Sequence, residues 1–235
     1  MLNRLKKLLP NEFRQGLKRR FLHIQDMQTR LANLKRAGFQ PTGAIDGGAY
    51  QGDWTKTFWN IWPTVPSLMI EPQPSQRQAL STLTSQVPKS LHLQCAIADA
   101  NGRLQFSLEE TNSRLGGEAS NNSIEVDVRK LDDIVEGLSF NPNLLKLDLQ
   151  GFELKALDGC TERLSQFEVV LLEVSILRIG DVPIFHEVDQ YMTKKGYRVY
   201  DLLPTYFRPR DGALWQMDVF FVRENSALIA NREWA

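Results

Sequence analysis

Apolar and polar residues follow two alternating patterns along most of the chain. Apolar positions three or four residues apart, which predict helices, occur over 26–38, 52–61 and 73–86. Between and after them stand short apolar runs at 43–46, 68–70, 91–97, 144–149 and 168–176. These runs are almost continuously apolar, which is typical of strands that helices cover on both faces. Strands that alternate with helices predict a mostly parallel sheet in an α/β fold.

Other stretches depart from this pattern. Residues 103–109 (RLQFSLE) and 123–129 (SIEVDVR) alternate apolar and polar positions, which predicts exposed or edge strands. Between them, TNSRLGGEASNN is a polar, glycine-bearing segment, which we expect to form a loop over a site. Near the end, YRVYDLL and WQMDVFFVR flank PTYFRPRDGA and predict a closing antiparallel strand pair.

Length and charge distribution suggest one domain and a distinct N-terminal segment. The 235 residues are 42% hydrophobic, enough for one sizeable core, which we assign to residues 26–235. The net charge is zero, but residues 1–22 contain seven Lys and Arg against one Glu. Apolar residues recur there at roughly helical spacing, so residues 1–25 are predicted to form a basic amphipathic helical segment. Packing on the domain or on a second subunit, and weak contact with anionic lipid, both stay open for it.

Composition also narrows the classes of partner and compartment. The rest of the chain offers no matching basic surface, which argues against nucleic-acid binding. No run of eighteen apolar residues and no signal-peptide core is visible, and two cysteines are too few for a disulfide framework. We therefore expect a cytoplasmic protein. Contact of residues 1–22 with the inner membrane face is one of the two alternatives for that segment, and a homo-oligomer is a further option.

The stretch AIDGGAYQG connects the first predicted strand to a helix that begins near Gly52. Its spacing is D-x-G-x-x-x-G, which differs from the G-x-G-x-x-G that brings amides close to a pyrophosphate. The carboxylate of Asp46 would repel a pyrophosphate but can accept hydrogen bonds from an ammonium group or from amides of the loop. S-adenosylmethionine fits this requirement, because it has an amino acid end, a sulfonium and no phosphate. The predicted cofactor loop comprises Asp46, Gly47, Gly48, Ala49, Tyr50, Gln51 and Gly52. The alternative is a plain turn in which the glycines supply positive φ.

The next two apolar runs end in further candidate cofactor residues. Glu71, followed by Pro72, ends the second run, where a carboxylate can accept hydrogen bonds from both ribose hydroxyls of an adenosine. The small residues of QCAIAD (94–99) leave room for an adenine ring at Ala96. Asp99 is a candidate acceptor for the adenine amino group, or a turn residue before Asn101.

The segment LLKLDLQGFELKALDG (144–159) is the most specific stretch. Together with DGGAYQG, the pair Glu71-Pro72 and RKLDDI (129–134), it resembles the FkbM-type family of S-adenosylmethionine-dependent methyltransferases, whose pattern is close to K-I-D-V-E-G-F/Y-E. Here the pattern reads KLDLQGFE, and the resemblance covers roughly residues 30 to 223. Two residues depart from the family: Tyr50 stands where Asn is frequent, and Gln150 replaces the usual acidic residue.

The resemblance implies a fold, a cofactor and a class of reaction. The implied fold is the Rossmann-like class I methyltransferase fold, which has a mostly parallel seven-stranded sheet, helices on both faces and a C-terminal antiparallel strand pair. The implied reaction is O-methylation of a hydroxyl on a sugar, glycan or natural product by S-adenosylmethionine. Asp148 and Glu153 are the candidate catalytic bases, with Lys146 beside them to keep one ionised, and Asp148 also borders the cofactor. The alternative for these three residues is a structural ion-pair network.

Several questions stay open at this level. A nicotinamide-dependent oxidoreductase and a non-catalytic interaction protein on the same fold are the competing functions. The three histidines are widely separated, so we predict no metal site. Glu173 ends an apolar run and is expected to line the same pocket, whereas His186 is expected on a helix face. PTYFRPRDGALW (204–215), with Arg208 and Arg210, is either an acceptor-binding loop or a loop packed on the sheet rim.

Overall fold

A computed structural model describes residues 26–107, 123–178 and 180–230 of the chain. The predicted basic segment 1–25 and the predicted loop TNSRLGGEASNN lie outside these ranges. The division into segments 1–25 and 26–235 therefore stays a prediction.

The main sheet has seven strands in the order β3-β2-β1-β7-β8-β10-β9. Its strands are β1 (Ala44–Gly47), β2 (Ser67–Ile70), β3 (Leu91–Leu93), β7 (Leu144–Leu147), β8 (Val169–Ser175), β9 (Tyr197–Phe207) and β10 (Leu214–Arg223). The first five in spatial order are parallel, and β10 pairs antiparallel with both β8 and β9. The predicted mostly parallel sheet with a C-terminal antiparallel pair is thus confirmed.

Helices cover both faces of this sheet. They are α1 (Met27–Arg36), α2 (Asp53–Ile61), α3 (Arg77–Thr84), α4 (Leu131–Glu136), α5 (Glu153–Asp158) and α6 (Phe185–Lys194). Apolar residues of α1, α2 and α3 share one buried cluster with one face of the strands, and those of α4, α5 and α6 share a second with the opposite face. Because successive side chains of a strand point to opposite faces, the continuously apolar runs supply both clusters. None of the helices in the described part of the chain is long and apolar enough to cross a membrane.

A second, three-stranded sheet packs beside the main one, in the order β4-β6-β5. Its strands are β4 (Ala96–Ile97), β5 (Gly102–Ser107) and β6 (Ser123–Arg129). The two alternating stretches contain β5 and β6. The prediction of an exposed or edge strand is confirmed for β5, whereas β6 is the middle strand and is exposed only at alternate positions. The prediction of one strand over 91–97 is wrong. The chain bends after Leu93, and Ala96 pairs with Val128 of β6 instead of extending β3.

Two predicted boundaries also shift. The helix predicted over 73–86 begins as a short 3-10 turn at Pro74–Gln76, and the α-helix proper starts at Arg77. Proline suits a first helical position because its missing N–H has no intrahelical partner there. The predicted loop 204–215 is shorter than expected, since β9 continues to Phe207 and β10 begins at Leu214.

Candidate functional site

A cavity of about 600 Å³ opens at the carboxyl ends of β1, β2, β7 and β8. Ligands of open α/β sheets bind in this position. Nine of the predicted site residues line the cavity: Gly48, Ala49, Tyr50, Gln51, Glu71, Pro72, Ala96, Lys146 and Asp148. Five lie outside its wall: Asp46, Gly47, Gly52, Asp99 and Glu153. The sequence pattern therefore brings most of the candidate residues to one place.

Lys146 of β7 contacts the end of the neighbouring strand, β1. Its Nζ lies 3.0 Å from Asp46 Oδ1 and 3.6 Å from Asp148 Oδ2, and it donates to the carbonyl oxygen of Gly48 at 2.9 Å. Burial disfavours the charge of Lys146, but Asp46 and Asp148 outweigh burial and raise its pKa. Lys146 is therefore a buried ammonium group that holds the start of the glycine loop.

Asp46 does not occupy the position predicted for it. Asp46 pairs with Lys146 in the β1–β7 register, is fully buried, and accepts a hydrogen bond from Thr55 Oγ1 at 2.7 Å. It shares a strand face with Ala44 and points towards α2, away from the cavity. The carboxylate of Asp46 thus neutralises Lys146, and its predicted contact with the ammonium group of a ligand stays a prediction that this arrangement does not support.

The glycine loop owes its shape to close contact between β1 and β7. Gly48 has a φ of +71°, and a Cβ there would meet the carbonyl oxygen of Asp148 at 1.9 Å. Tyr50 also adopts a left-handed φ of 45°. Asn tolerates this conformation better than Tyr, which gives a physical reason for the family's preference at position 50. Gly52, with a φ of +74°, precedes the first residue of α2 and faces Leu83, so its role is to let the helix start.

Replacement of Gly48 by Ala is expected to separate the ends of β1 and β7 and to reduce cofactor binding at least tenfold. A left-handed conformation costs a non-glycine residue about 1–3 kcal/mol, and the clash with Asp148 adds to this cost. Gly212→Ala is the matched control, because Gly212 has a φ of +72° and no atom within 4 Å of its Cβ position. Equal losses of stability and of S-adenosylhomocysteine affinity in the two variants would contradict the proposed close contact.

Glu71 lies at the cavity wall and stabilises the loop from the neighbouring strand. Its Oε2 accepts from the Tyr50 amide at 2.8 Å, and its Oε1 accepts from the Gln73 amide at 3.0 Å. Burial raises the pKa of Glu71, and these two amides oppose the shift. Each oxygen can accept a further hydrogen bond, so the carboxylate is still able to bind a diol.

Asp99, in contrast, is exposed in a bend and lies outside the cavity wall. The interpretation as a turn residue fits this position, and the predicted contact with adenine does not.

The loop after β7 carries Asp148 into the cavity and leaves Glu153 beneath it. Glu153 is 5% exposed and accepts from the amides of Leu149 at 2.7 Å and Gly151 at 3.1 Å. Burial raises the pKa of Glu153 to about 7. Its oxygens bind the loop and it lies outside the wall, so the position of Glu153 favours a structural role, and its role as catalytic base stays a prediction. Gln150, with a left-handed φ of 54°, turns its amide towards Asp148, to which it donates at 2.8 Å.

Two further carboxyl groups line the opposite side of the cavity. Glu173 of β8 and Asp218 of β10 are direct partners across the antiparallel strand pair, and both belong to the cavity wall. Burial, and then the charge of Asp148, raises the pKa of Glu173 to about 9 and that of Asp218 to about 7. The expectation that Glu173 faces the pocket is confirmed. Asp218 is not among the residues predicted from the sequence, although an aspartate inside the apolar run MDVFFV is a usable signal.

These shifts predict that the ligand-free protein loses stability as the pH rises from 5 to 9. The folded state retains protons on Glu153, Glu173 and Asp218 that the unfolded chain has already released, so stability falls as the pH passes through about 7 and 9. We expect the melting temperature to fall by at least about 5 °C, and Glu173→Gln to reduce that slope. Thermal denaturation at pH 5, 7 and 9 measures it, and a melting temperature that rises with pH would refute the assignment.

The predicted arginine pair of the acceptor loop lies elsewhere. Arg208 and Arg210 belong to the turn between β9 and β10, and neither lines the cavity. Arg208 pairs with Asp211 within that turn. Tyr206 and Trp215, from the two strands, do line the cavity. The prediction that the arginines neutralise an acidic acceptor is therefore not supported.

His186 is exposed on α6, as expected.

Within the described ranges, no group of three or more His, Cys, Asp or Glu side chains is arranged to hold a metal ion. The prediction that no metal takes part stays a prediction.

Structural comparison places the fold among methyltransferases. The plantazolicin methyltransferase BamL, solved with a triazolic desmethylPZN analog and S-adenosylhomocysteine, matches with a TM-score of 0.50 at 8% identity, over 92% of this chain and 91% of that one. The precorrin-6y C5,15-methyltransferase of Geobacter metallireducens matches with a TM-score of 0.46 at 14% identity, over 83% and 87%. The Burkholderia thailandensis 1,6-didemethyltoxoflavin-N1-methyltransferase gives 0.47 at 11%, over 92% and 90%.

Sequence comparison identifies the family. The chain has no significant match among curated proteins. A sequence profile described as Methyltransferase FkbM domain matches residues 46–199, which is more than half of the chain. This range begins at Asp46 and contains the glycine loop, Glu71 and the KLDLQGFE segment. The chain therefore belongs to the FkbM family of methyltransferases, whose methyl donor is S-adenosylmethionine.

Proposed function

We propose that this S-adenosylmethionine-dependent methyltransferase transfers the methyl group to a hydroxyl oxygen of a small molecule, such as a sugar, a glycan or another natural product. The observation that carries the proposal is the position of Asp148. Its carboxylate lies in the cavity wall at the end of β7, between the glycine loop and the side formed by β8 and β10. A base in that position is what an alcohol acceptor needs.

The cavity wall fits the methyl donor better than a dinucleotide. Among the described residues of the wall, Lys146 is the single cationic side chain, and it is already neutralised by Asp46. A pyrophosphate would therefore meet mainly carboxyl groups and a loop without the G-x-G-x-x-G spacing, which argues against the nicotinamide-dependent oxidoreductase. Glu71 has free acceptor capacity for a ribose diol, and Ala96 and Phe106 give an apolar wall beside it. We assign the donor to these residues and to the Gly48–Gln51 loop.

The donor supplies a methyl carbon already activated by a sulfonium, so the protein mainly needs to position the acceptor and to remove its proton. Asp148 is held in place from two sides. Lys146 Nζ lies 3.6 Å from its Oδ2, and Gln150 donates to its Oδ1 at 2.8 Å. We assign Asp148 the role of general base, which takes the hydroxyl proton as the oxygen attacks the methyl carbon.

The identity of the acceptor atom can be tested directly. Cell extract incubated with the enzyme and S-adenosylmethionine labelled with ¹³C in its methyl group will contain a labelled product. The chemical shift of that methyl in a proton–carbon correlation spectrum distinguishes bonds to oxygen, nitrogen and carbon. We expect a methyl ether, the product of methyl transfer to a hydroxyl. A labelled N-methyl or C-methyl product would refute O-methylation while leaving methyl transfer intact, and no labelled product would favour the non-catalytic alternative.

A further inference from the structure

We propose that the acceptor carries a positively charged amine near the hydroxyl that is methylated, and that Glu173 and Asp218 bind this amine. The inference rests on the proposed O-methyl transfer and narrows the acceptor to amino alcohols and amino sugars. It excludes acceptors with a phosphate or carboxylate in the cavity.

Acidic side chains outnumber basic side chains in the described part of the cavity wall. Five carboxyl side chains line it, those of Asp53, Glu71, Asp148, Glu173 and Asp218, against the single ammonium of Lys146 within the described ranges. Three of the five have a partner or a role: Asp53 pairs with Lys56 at 2.7 Å, Asp148 with Lys146, and Glu71 with two loop amides. The methyl donor brings one net positive charge. Glu173 and Asp218 form no ion pair with Lys146 or with another described residue. Burial raises the pKa of both groups, so they retain protons in the ligand-free protein that an incoming ammonium group can displace.

The register of the sheet places these two carboxyl groups together. Glu173 and Asp218 stand directly opposite each other on β8 and β10, an arrangement of like charges that weakens a strand pair. No described residue forms an ion pair with either one. The amides of Gln150 and Gln216 both donate to Oε2 of Glu173, at 3.0 Å and 3.1 Å, which leaves Oε1 without a hydrogen bond from a described residue. A pair of this kind is stabilised by binding a cation between its members.

Aromatic side chains complete the proposed amine site. Trp215 is the extra residue of a bulge in β10, because Leu214 pairs with Phe207 and Gln216 with Tyr206. A bulge redirects a side chain, and Trp215 belongs to the cavity wall, as does Tyr206 of the neighbouring strand. The Nε1 of Trp215 is buried and has no hydrogen-bond partner among the described residues. Aromatic faces next to carboxylates are the usual surroundings of a bound ammonium group.

The amine site can be tested without knowledge of the acceptor. The full-length protein saturated with S-adenosylhomocysteine is mixed with four fragments, ethanolamine, choline, ethylene glycol and glycolate, and binding is followed by saturation-transfer NMR at millimolar concentrations. We expect signals from the two cationic fragments, at least tenfold stronger than those from ethylene glycol, and none from glycolate. Equal signals from ethylene glycol, or no signal from either amine, would overturn the proposal.

Variants locate the binding within the cavity. Glu173→Gln combined with Asp218→Asn should weaken both amines at least tenfold while S-adenosylhomocysteine affinity is retained, which also shows that the variant folds. Asp127→Asn is the control, because Asp127 is an exposed carboxylate of β6 that pairs with Arg103 outside the cavity. Amine binding that survives the double substitution, or that is lost in the control, would overturn the assignment to Glu173 and Asp218.

A second experiment separates this inference from the proposed function. Polar extract is divided by ion exchange into cationic, neutral and anionic pools, and each is incubated with the enzyme and deuterated methyl donor. Label in the cationic pool is expected, and label confined to the neutral or anionic pool would refute an amine-bearing acceptor. If no pool takes up label, methyl transfer itself is refuted, and the fragment experiment still decides whether the amine site exists.

Discussion

Replacement of Lys146 by Met is expected to destabilise the fold by about 3–5 kcal/mol, because it leaves the fully buried carboxylate of Asp46 without its counter-charge. The same substitution removes the hydrogen bond to the carbonyl of Gly48 that fixes the glycine loop. Cofactor binding should therefore be lost together with stability. Urea denaturation followed by circular dichroism measures the first effect, and calorimetric titration with S-adenosylhomocysteine measures the second.

Two further variants show that the loss comes from the unpaired charge. Asp46→Asn combined with Lys146→Met removes both charges, so it should recover part of the stability lost in the single variant. Lys35→Met is the control, because Lys35 is an exposed lysine that donates to a single carbonyl, that of Ile61. A loss below about 1 kcal/mol in Lys146→Met, comparable with that in Lys35→Met, would show that the pair is not structurally important.

Asp148→Asn is expected to lower kcat by about 10²–10⁴, the usual contribution of a general base. The amide keeps the size of the side chain and can still accept from Gln150, so S-adenosylhomocysteine affinity should change less than tenfold. The measurement uses the acceptor identified by methyl labelling, with release of S-adenosylhomocysteine as the readout. Asp99→Asn is the control, because Asp99 is exposed and lies outside the cavity. An unchanged kcat in Asp148→Asn would remove Asp148 from the mechanism.

Apolar periodicity was enough to predict the sheet and its helices, since continuously apolar strands and amphipathic helices leave clear patterns. Loop spacing was enough to bring the glycine loop, Glu71 and Asp148 to one edge, because the ends of parallel strands meet there. The residue at which β3 ends, and the existence of the separate three-stranded sheet, could not be predicted in the same way. Residues 91–97 are apolar throughout, and apolarity alone does not show where the chain bends away from β2.

The direction of individual charged side chains was the main limit. Asp46 and Lys146 lie on the same strand face only because Asp46 is the register partner of Lys146, and register is not visible in either segment alone. Glu153 was predicted as a base because it follows the Asp148 loop, whereas its carboxylate binds the amides of that loop. Asp218 reaches the cavity through the pairing of β10 with β8, more than forty residues away along the chain.

The central claim is that the cavity at the ends of β1, β2 and β7 binds the methyl donor, with Glu71 at its ribose. Calorimetric titration of the full-length protein and of Glu71→Gln with S-adenosylhomocysteine tests this claim directly. We predict saturable binding at one site per chain, weakened at least tenfold in Glu71→Gln. Absence of binding to the unaltered protein at millimolar ligand, or equal affinity in Glu71→Gln, would contradict this account of the site.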